Sequence, residues 1–344
     1  MRKVVGLDIS LKKIAVCVLE RDGQLVWQGK VDAEPGPLAE RLRPWRDEID
    51  LVGLEACPLS EWLHRHLIAD GYKAVCVETR QAQRFLSTRP VKTDRNDARG
   101  IAEMMRIGHY RPVHVKSLEA QLVRTILQAR RQIVASLLQV QGSIRGLLRM
   151  HGLKIGEIHR CRFENRARDL LEEMPSLTCA IEPLLRILEQ LTSERKALDK
   201  RLEKTARSDA VCQRLMSIPG VGPITSLAFR VTVDDPSRFG SSKAVGAHLG
   251  LTPRVYQSGE TDRSGQISKA GDHMLRHLLY EAASALMTRC RQPSRLRAWG
   301  IAIARRRGAK RARVAVARKL AVIMHRMWVS EAVFQTGTEK AMAA

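Results

Sequence analysis

Within its first eighty residues this chain lays out a pattern that few folds can accommodate. Residues 3–9, 14–20 and 24–30 are short β-rich runs, and Arg21-Asp22-Gly23-Gln24 places an Asp-Gly turn between the second and third. An amphipathic helix is expected over 37–45, a strand over 51–55, a helix over 59–69 and a strand over 73–77. Three antiparallel strands are thus followed by alternating helix and strand, an order that calls for a mixed sheet covered by helices.

Acidic residues punctuate this pattern. Asp8 closes the apolar run Val4-Val5-Gly6-Leu7, Glu55 closes 51–54, and Asp94 with Asp97 open a segment of helical character. The element order matches a ribonuclease-H-like arrangement, in which acids at strand ends converge on one sheet edge. Asp8 on the first strand and Glu55 on the fourth would be neighbours, and the i, i+3 spacing of Asp94 and Asp97 puts both on one helix face. Four carboxylates without histidine or thiolate suit magnesium, and two such ions can assist phosphodiester chemistry at the nucleophile, the phosphorus and the leaving oxygen. Taken singly, each acid is also explained as a strand-end residue or a first-turn helix residue favoured by the dipole.

Charge points to the same class of substrate. Lys and Arg number 59 against 36 Asp and Glu, for a net charge of +23. Such an excess favours a polyanion as partner, because phosphate neutralisation drives most nucleic-acid affinity. No stretch approaches the roughly 20 uncharged apolar residues that span a bilayer, and the first residues lack the features of a secretory signal. A soluble, cytoplasmic protein with no membrane partner is expected, nucleoid-associated when bound to DNA. The seven cysteines, Cys17, Cys57, Cys76, Cys161, Cys179, Cys212 and Cys290, include no Cys-x-x-Cys pair. They read as residues of a reducing compartment, and His159 with Cys161 lacks a second pair for zinc.

Beyond residue 112 the periodicity changes. Apolar residues at 118, 122, 126, 133, 137, 140, 144 and 148 form one stripe of a long helix. A second helix is expected over 184–202, with Arg195 interrupting its leucines, and the two suggest an antiparallel arm or coiled coil. The basic stretch His159, Arg160, Arg162, Arg166 and Arg168 lies between them, either as a solvated face or as a nucleic-acid contact. Near residue 208 the texture changes again. Ile218-Pro219-Gly220-Val221-Gly222-Pro223 sets a Gly-x-Gly turn between two helical stretches, and the amides of Gly220 and Gly222 could face a phosphate, although a helix connection needs no ligand. Without a following Gly-Lys-Ser/Thr it is no nucleotide-binding loop. Residues 250–272 read as polar loop, then a helix over 272–288, then a basic tail over 289–318 that would neutralise phosphates. Three domains are expected, at 1–112, 113–207 and 208–344.

Ser258 follows Pro253-Arg254-Val255-Tyr256-Gln257 and lies among Arg254, Arg263 and Lys269. An exposed hydroxyl beside cations could attack a phosphodiester, whereas spacing alone favours a turn serine with a local backbone hydrogen bond. Here Gly6-Leu7-Asp8-Ile9-Ser10, Gly53-Leu54-Glu55-Ala56, Lys92-Thr93-Asp94-Arg95-Asn96-Asp97-Ala98, the Ile218 to Pro223 turn and residues 249–276 resemble the insertion-sequence-110 family of transposases over nearly the whole chain. The resemblance implies a RuvC-like domain with an Asp-Glu-Asp-Asp tetrad at Asp8, Glu55, Asp94 and Asp97, a coiled-coil connection, and a C-terminal helical transposase domain whose nucleophilic serine maps to Ser258. Ser264, Ser268, Ser241 and Ser242 lie nearby as alternatives. It further implies a bridge RNA that pairs with donor and target DNA, DNA phosphate contacts by Lys269 and Arg276, and a dimer or tetramer, since strand exchange needs at least two active sites. Two other functions use the same features: a hydrolytic nuclease or Holliday-junction resolvase with water as nucleophile, and a non-catalytic nucleic-acid-binding protein on a retired nuclease fold.

Overall fold

Lys3–Ile9 (β1), Lys13–Glu20 (β2) and Leu25–Asp32 (β3) form the expected antiparallel meander, turning at Gly23, whose φ of 97° suits a residue without a side chain. These belong to a computed structural model that describes residues 2–87, 92–259 and 261–336 and divides into two compact units, Met1–Lys116 and Ser117–Ala344.

The first unit continues through Pro35–Leu42 (α1), a 3-10 turn at Arg43–Glu48, Ile49–Glu55 (β4), Ser60–Ala69 (α2), Ala74–Val77 (β5), Thr79–Leu86 (α3) and Asp94–Ile107 (α4). The sheet order is β3-β2-β1-β4-β5, with β4 parallel to both β1 and β5. This is the mixed, ribonuclease-H-like sheet, and both its faces are covered. Val5, Leu7, Val52 and Leu54 pack on one side with Leu63 and Leu67 of α2. Val4, Ala15, Cys17 and Leu19 pack on the other with Ala98, Ala102 and Met105 of α4. Burial on both faces is why β1 and β4 read as continuous apolar runs instead of alternating ones.

The second unit is helical. Leu118–Met150 (α5) is 33 residues long, about 50 Å at 1.5 Å per residue. A 3-10 turn at Arg160–Arg162 leads into Phe163–Glu173 (α6), and Thr178–Ser208 (α7) returns alongside α5. Leu137, Ile144 and Leu148 meet Ile181, Leu185 and Leu188 at one end of the pair. Ala120 and Leu127 share a core with Leu202 and Ala206 at the other, so the helices are antiparallel. α7 begins six residues earlier than expected and runs across Pro183. The bias of a residue preceding proline against helix hides this start in the sequence. Arg195, the break in the leucine pattern, forms a charged rung: Asp199 accepts from Arg195 at 2.6 Å and also from Arg130 of α5. Arg168, from the basic stretch, is held by Glu182 at 3.1 Å and Glu189 at 2.7 Å, tying α6 to α7.

Ala210–Met216 (α8), Pro223–Val233 (α9), Ser242–His248 (α10), Pro253–Ser258 (β6), Thr261–Ile267 (β7), His273–Thr288 (α11), Arg295–Arg307 (α12) and Ala309–Val329 (α13) follow. The core of these elements takes in the base of the α5–α7 pair through Ala120, Leu127, Leu202 and Ala206. For that reason 113–207 does not stand apart: nearly all of it shares one compact unit with 208–344.

Two expectations are corrected. Residues 253–267, read as loop, form an antiparallel hairpin. The six residues of β6 are all exposed, so no apolar alternation marks them as a strand. The stretch 289–318, read as a tail, is mostly helix. Ala312, Val316, Ala317 and Leu320 of α13 are fully buried while Arg311, Arg318 and Lys319 face solvent, so the arginine density conceals an amphipathic helix. No helix among the described residues is long and apolar enough to cross a membrane.

Candidate active site

The acids are brought together by two glycines. In the register of β1 with β4, Leu7 lies opposite Leu54, so Asp8 and Glu55, one residue on, stand side by side. Two residues back on the same face are Gly6 and Gly53. A Cβ on Gly6 would lie 2.2 Å from the Ala98 carbonyl oxygen and 2.3 Å from the Ala102 nitrogen, both in α4. On Gly53 it would lie 2.6 Å from Met105. The missing side chains let α4 lie flush on the two central strands. Its first turn, carrying Asp94 and Asp97, then comes to the strand ends. Thr93 caps this turn, its hydroxyl accepting from the Asn96 amide at 3.2 Å.

The charges of these acids bear on Asp8 and Glu55. The Asp8 carboxyl is pushed up to about 6, first by desolvation and then by the charges of Asp97 and Asp94. Glu55 is raised by burial and by Asp8 and Asp97, partly offset by the Thr79 hydroxyl and the charge of Lys92. Asp94 moves the other way. Lys30 of β3 donates to it at 2.5 Å and holds its carboxyl below the usual range. Among the described residues no three Asp, Glu, His or Cys side chains converge closely enough to grip an ion as they stand. The donor set nevertheless fits a hard divalent cation: all four groups offer carboxylate oxygen, and the mutual repulsion that raises Asp8 and Glu55 is what a cation would relieve.

Ser258 belongs to the second unit. It ends β6, exposed, opposite Thr261, and the next residue, Gly259, turns the chain at φ 55°. Arg254, Arg263 and Lys269 are exposed on the same hairpin and its exit, and one Arg254 nitrogen donates to the Ser268 carbonyl at 3.2 Å. Arg276 is half-buried and its guanidinium donates to the carbonyls of Leu249 at 2.9 Å and Ala270 at 3.0 Å. It fastens the loop between the hairpin and α11.

Gly220 has a packing role. Its φ is 91°, and a Cβ would sit 2.7 Å from the Ala282 carbonyl oxygen of α11. Gly222 caps α9 with open space beside it.

A family model described as a transposase of the DEDD IS110 type matches residues 5–152, and one described as the transposase IS116/IS110/IS902 family matches residues 212–298. The chain belongs to the IS110/IS116 family of transposases. The transposase for insertion sequence element IS1111A of Coxiella burnetii is 29% identical over 97% of this chain and 92% of its own length. A probable family 20 transposase of Pseudomonas aeruginosa is 28% identical over 97% and 98%. Among solved structures, Thermus thermophilus RuvC is similar over 32% of this chain and 99% of its own, with 14% identity and a TM-score of 0.27.

In this transposase the acids have partners that sequence reasoning missed. Gln28 and Lys30 alternate on β3 and so share a face. Gln28 exchanges two hydrogen bonds of 2.7 Å with Arg95, to its carbonyl and from its guanidinium, while Lys30 holds Asp94. The signal available was their i, i+2 spacing on a strand three positions from β4 in the sheet. Nothing in the sequence shows that this strand meets the start of α4.

Proposed function

We propose that this transposase cuts and rejoins DNA through a covalent link to Ser258, with Asp8, Glu55, Asp94 and Asp97 binding divalent metal, magnesium by preference and two ions per site. The observation that carries the reading is the seating of α4 on Gly6 and Gly53, which brings the first turn of α4 to the strand ends, where the charges of Asp97 and Asp94 add to burial in raising Asp8 and those of Asp8 and Asp97 do so for Glu55, in a chain of net charge +23. Bound divalent ions would stabilise negative charge on the phosphoryl oxygens and on the departing oxygen.

The residues of the chain do the rest. The Ser258 hydroxyl gives up its proton and forms a bond to phosphorus. The bond from phosphorus to the 3′ oxygen breaks, and that oxygen takes up a proton, leaving a 5′-phosphoserine and a free 3′ hydroxyl. Arg263, opposite Tyr256 and the nearest of the three cations to Ser258 along the hairpin, counters the charge that builds on the phosphate, while Arg254 and Lys269 at the other end hold DNA further along. A 3′ hydroxyl from a second strand reverses the attack, so rejoining needs no further energy source. Sequence selection comes from a bridge-type non-coding RNA that pairs with donor and target DNA, and the working unit is a dimer or tetramer with acids and serine on different subunits. These two points rest on the family resemblance.

The test of the acids is strand cleavage with donor DNA, the element's own non-coding transcript and magnesium. Asp8→Ala and Glu55→Ala should each lower cleavage by at least about 100-fold, in the range by which loss of one electrostatic stabiliser slows catalysis, with unchanged DNA binding. Cleavage that survives both substitutions and chelation would remove the metal reading. Cleavage that needs the acids but survives Ser258→Ala would identify a hydrolytic nuclease of the resolvase kind.

A further inference from the structure

Beside the hairpin, the second unit contains a large open groove of about 1050 Å³, at the upper end of the ~300–1,000 Å³ of ligand clefts. Its walls are the base of β6 and β7 on one side and α12 with α13 on the other. Among the described residues five cations line it, Lys269, Arg307, Lys310, Arg311 and Arg318, and no carboxylate does. All five are exposed. Lys310, Val314 and Arg318 are spaced four apart and share one face of α13, opposite the buried Ala312 and Val316. The stem of Arg318 lies against Gly246 of α10, where a Cβ would approach it to 3.2 Å.

Trp299 of α12 stands in this groove and is 42% exposed. The chain has five tryptophans, and the other four, Trp27, Trp45, Trp62 and Trp328, are packed against hydrophobic cores. A large indole left open among exposed cations, with Ile267 and Val314 lining the same groove, has the makings of a stacking platform. Phosphates need cations and unpaired bases need a flat aromatic face, and the groove supplies both. A duplex keeps its bases stacked and would leave the indole unused.

We propose that this groove binds an unpaired stretch of DNA, with one base stacked on Trp299 and the adjoining phosphates held by Arg311, Arg318 and their neighbours. The occupant is DNA because the groove wall is the hairpin that ends in Ser258. At ~3.3 Å per residue, β6 carries the chain about 17 Å from Pro253 at the groove to Ser258, a span that a few nucleotides of unpaired strand bridge. A strand whose phosphodiester lies at Ser258 thus has its next nucleotides at the groove. The choice of DNA rests on the function proposed above; the stacking site itself does not.

The test is binding by the full chain in EDTA, where no cleavage occurs. A short oligothymidylate should quench tryptophan emission, and a blunt duplex of equal length should not. Trp299→Phe should remove the quench and keep affinity within about twofold, because the phenyl ring still stacks. Trp299→Ala should weaken oligothymidylate binding roughly tenfold without changing its salt dependence. Arg311→Ser with Arg318→Ser should flatten the salt dependence by about 0.7 per lost phosphate contact. A quench that persists in Trp299→Phe, an unchanged affinity in Trp299→Ala, or an equal response to duplex would each overturn the site. An oligouridylate that binds through Trp299 where the DNA does not would overturn the assignment to DNA. Failure of the Ser258 chemistry leaves every one of these readouts intact, so the two readings fail separately.

Discussion

At the scale of single residues, Asp8 shows how the cluster works against the stability of the metal-free protein. Its folded carboxyl titrates near 6, above the ordinary value of 3.8. As pH rises from about 4 to about 6 the unfolded chain releases this proton first, so the folded state loses stability across that window and does not regain it at higher pH. Asp8→Asn carries no such charge. In EDTA at pH 8 it should melt higher than wild type, and the difference should vanish below about pH 4. A variant that melts at or below wild type at pH 8 would show that Asp97 and Asp94 do not load Asp8 as described. Lys30 acts in the opposite sense, drawing Asp94 out of the cluster. Lys30→Ala should free Asp94, raise its carboxyl toward the ordinary value and strengthen divalent-ion binding, measured by calorimetry on the folded protein. An unchanged or weaker affinity would mean that Lys30 does not compete for Asp94. The four acids were legible in the sequence because each ends an apolar run or opens a helix. Lys30, Gln28 and Thr79 were not, since their role arises from a strand and a helix start that come near Asp94 and Glu55 only in the folded sheet.

At the scale of elements, what matters is how closely helices approach. Gly6→Ala should push α4 off β1 and cost about 1–3 kcal/mol by overpacking, with loss of cleavage beyond that expected from stability alone, because Asp94 and Asp97 ride on α4. Urea unfolding and activity at a temperature where the variant stays folded separate the two effects. Gly220 and Gly222 form a controlled contrast. Gly220→Ala forces a side chain into left-handed backbone, at about 1–2 kcal/mol, and into the α11 backbone. Gly222→Ser meets open space at a helix cap that favours serine, and should stay within about 0.5 kcal/mol of wild type. Destabilisation of equal size at both positions would contradict the packing role of Gly220. The Gly-x-Gly spacing drew attention to both glycines together, and only the φ of Gly220 and the nearness of Ala282 tell them apart. The strands of the first unit and the long helices were legible from periodicity. The β6–β7 hairpin was not, because an exposed strand carries no apolar alternation, and α13 was masked by its arginines.

At the scale of the molecule, the proposed chemistry is divided between two units. The acids belong to Met1–Lys116 and Ser258 to Ser117–Ala344. If subunits share their sites, a mixture of Asp8→Ala and Ser258→Ala proteins should recover a measurable fraction of recombination, since some sites then combine an intact cluster with an intact serine. A mixture as inactive as either variant alone would place both halves of each site in one subunit. The central claim is the covalent bond to Ser258. It is tested most directly by incubating the protein with its transcript, magnesium and 5′-labelled and 3′-labelled donor DNA, then separating the products under denaturing conditions. Wild type should carry the DNA segment downstream of the cut through its 5′ phosphate and release the upstream segment with a free 3′ hydroxyl, while Ser258→Ala carries none. Cleaved DNA with no protein attached, or attachment that persists in Ser258→Ala, would contradict it.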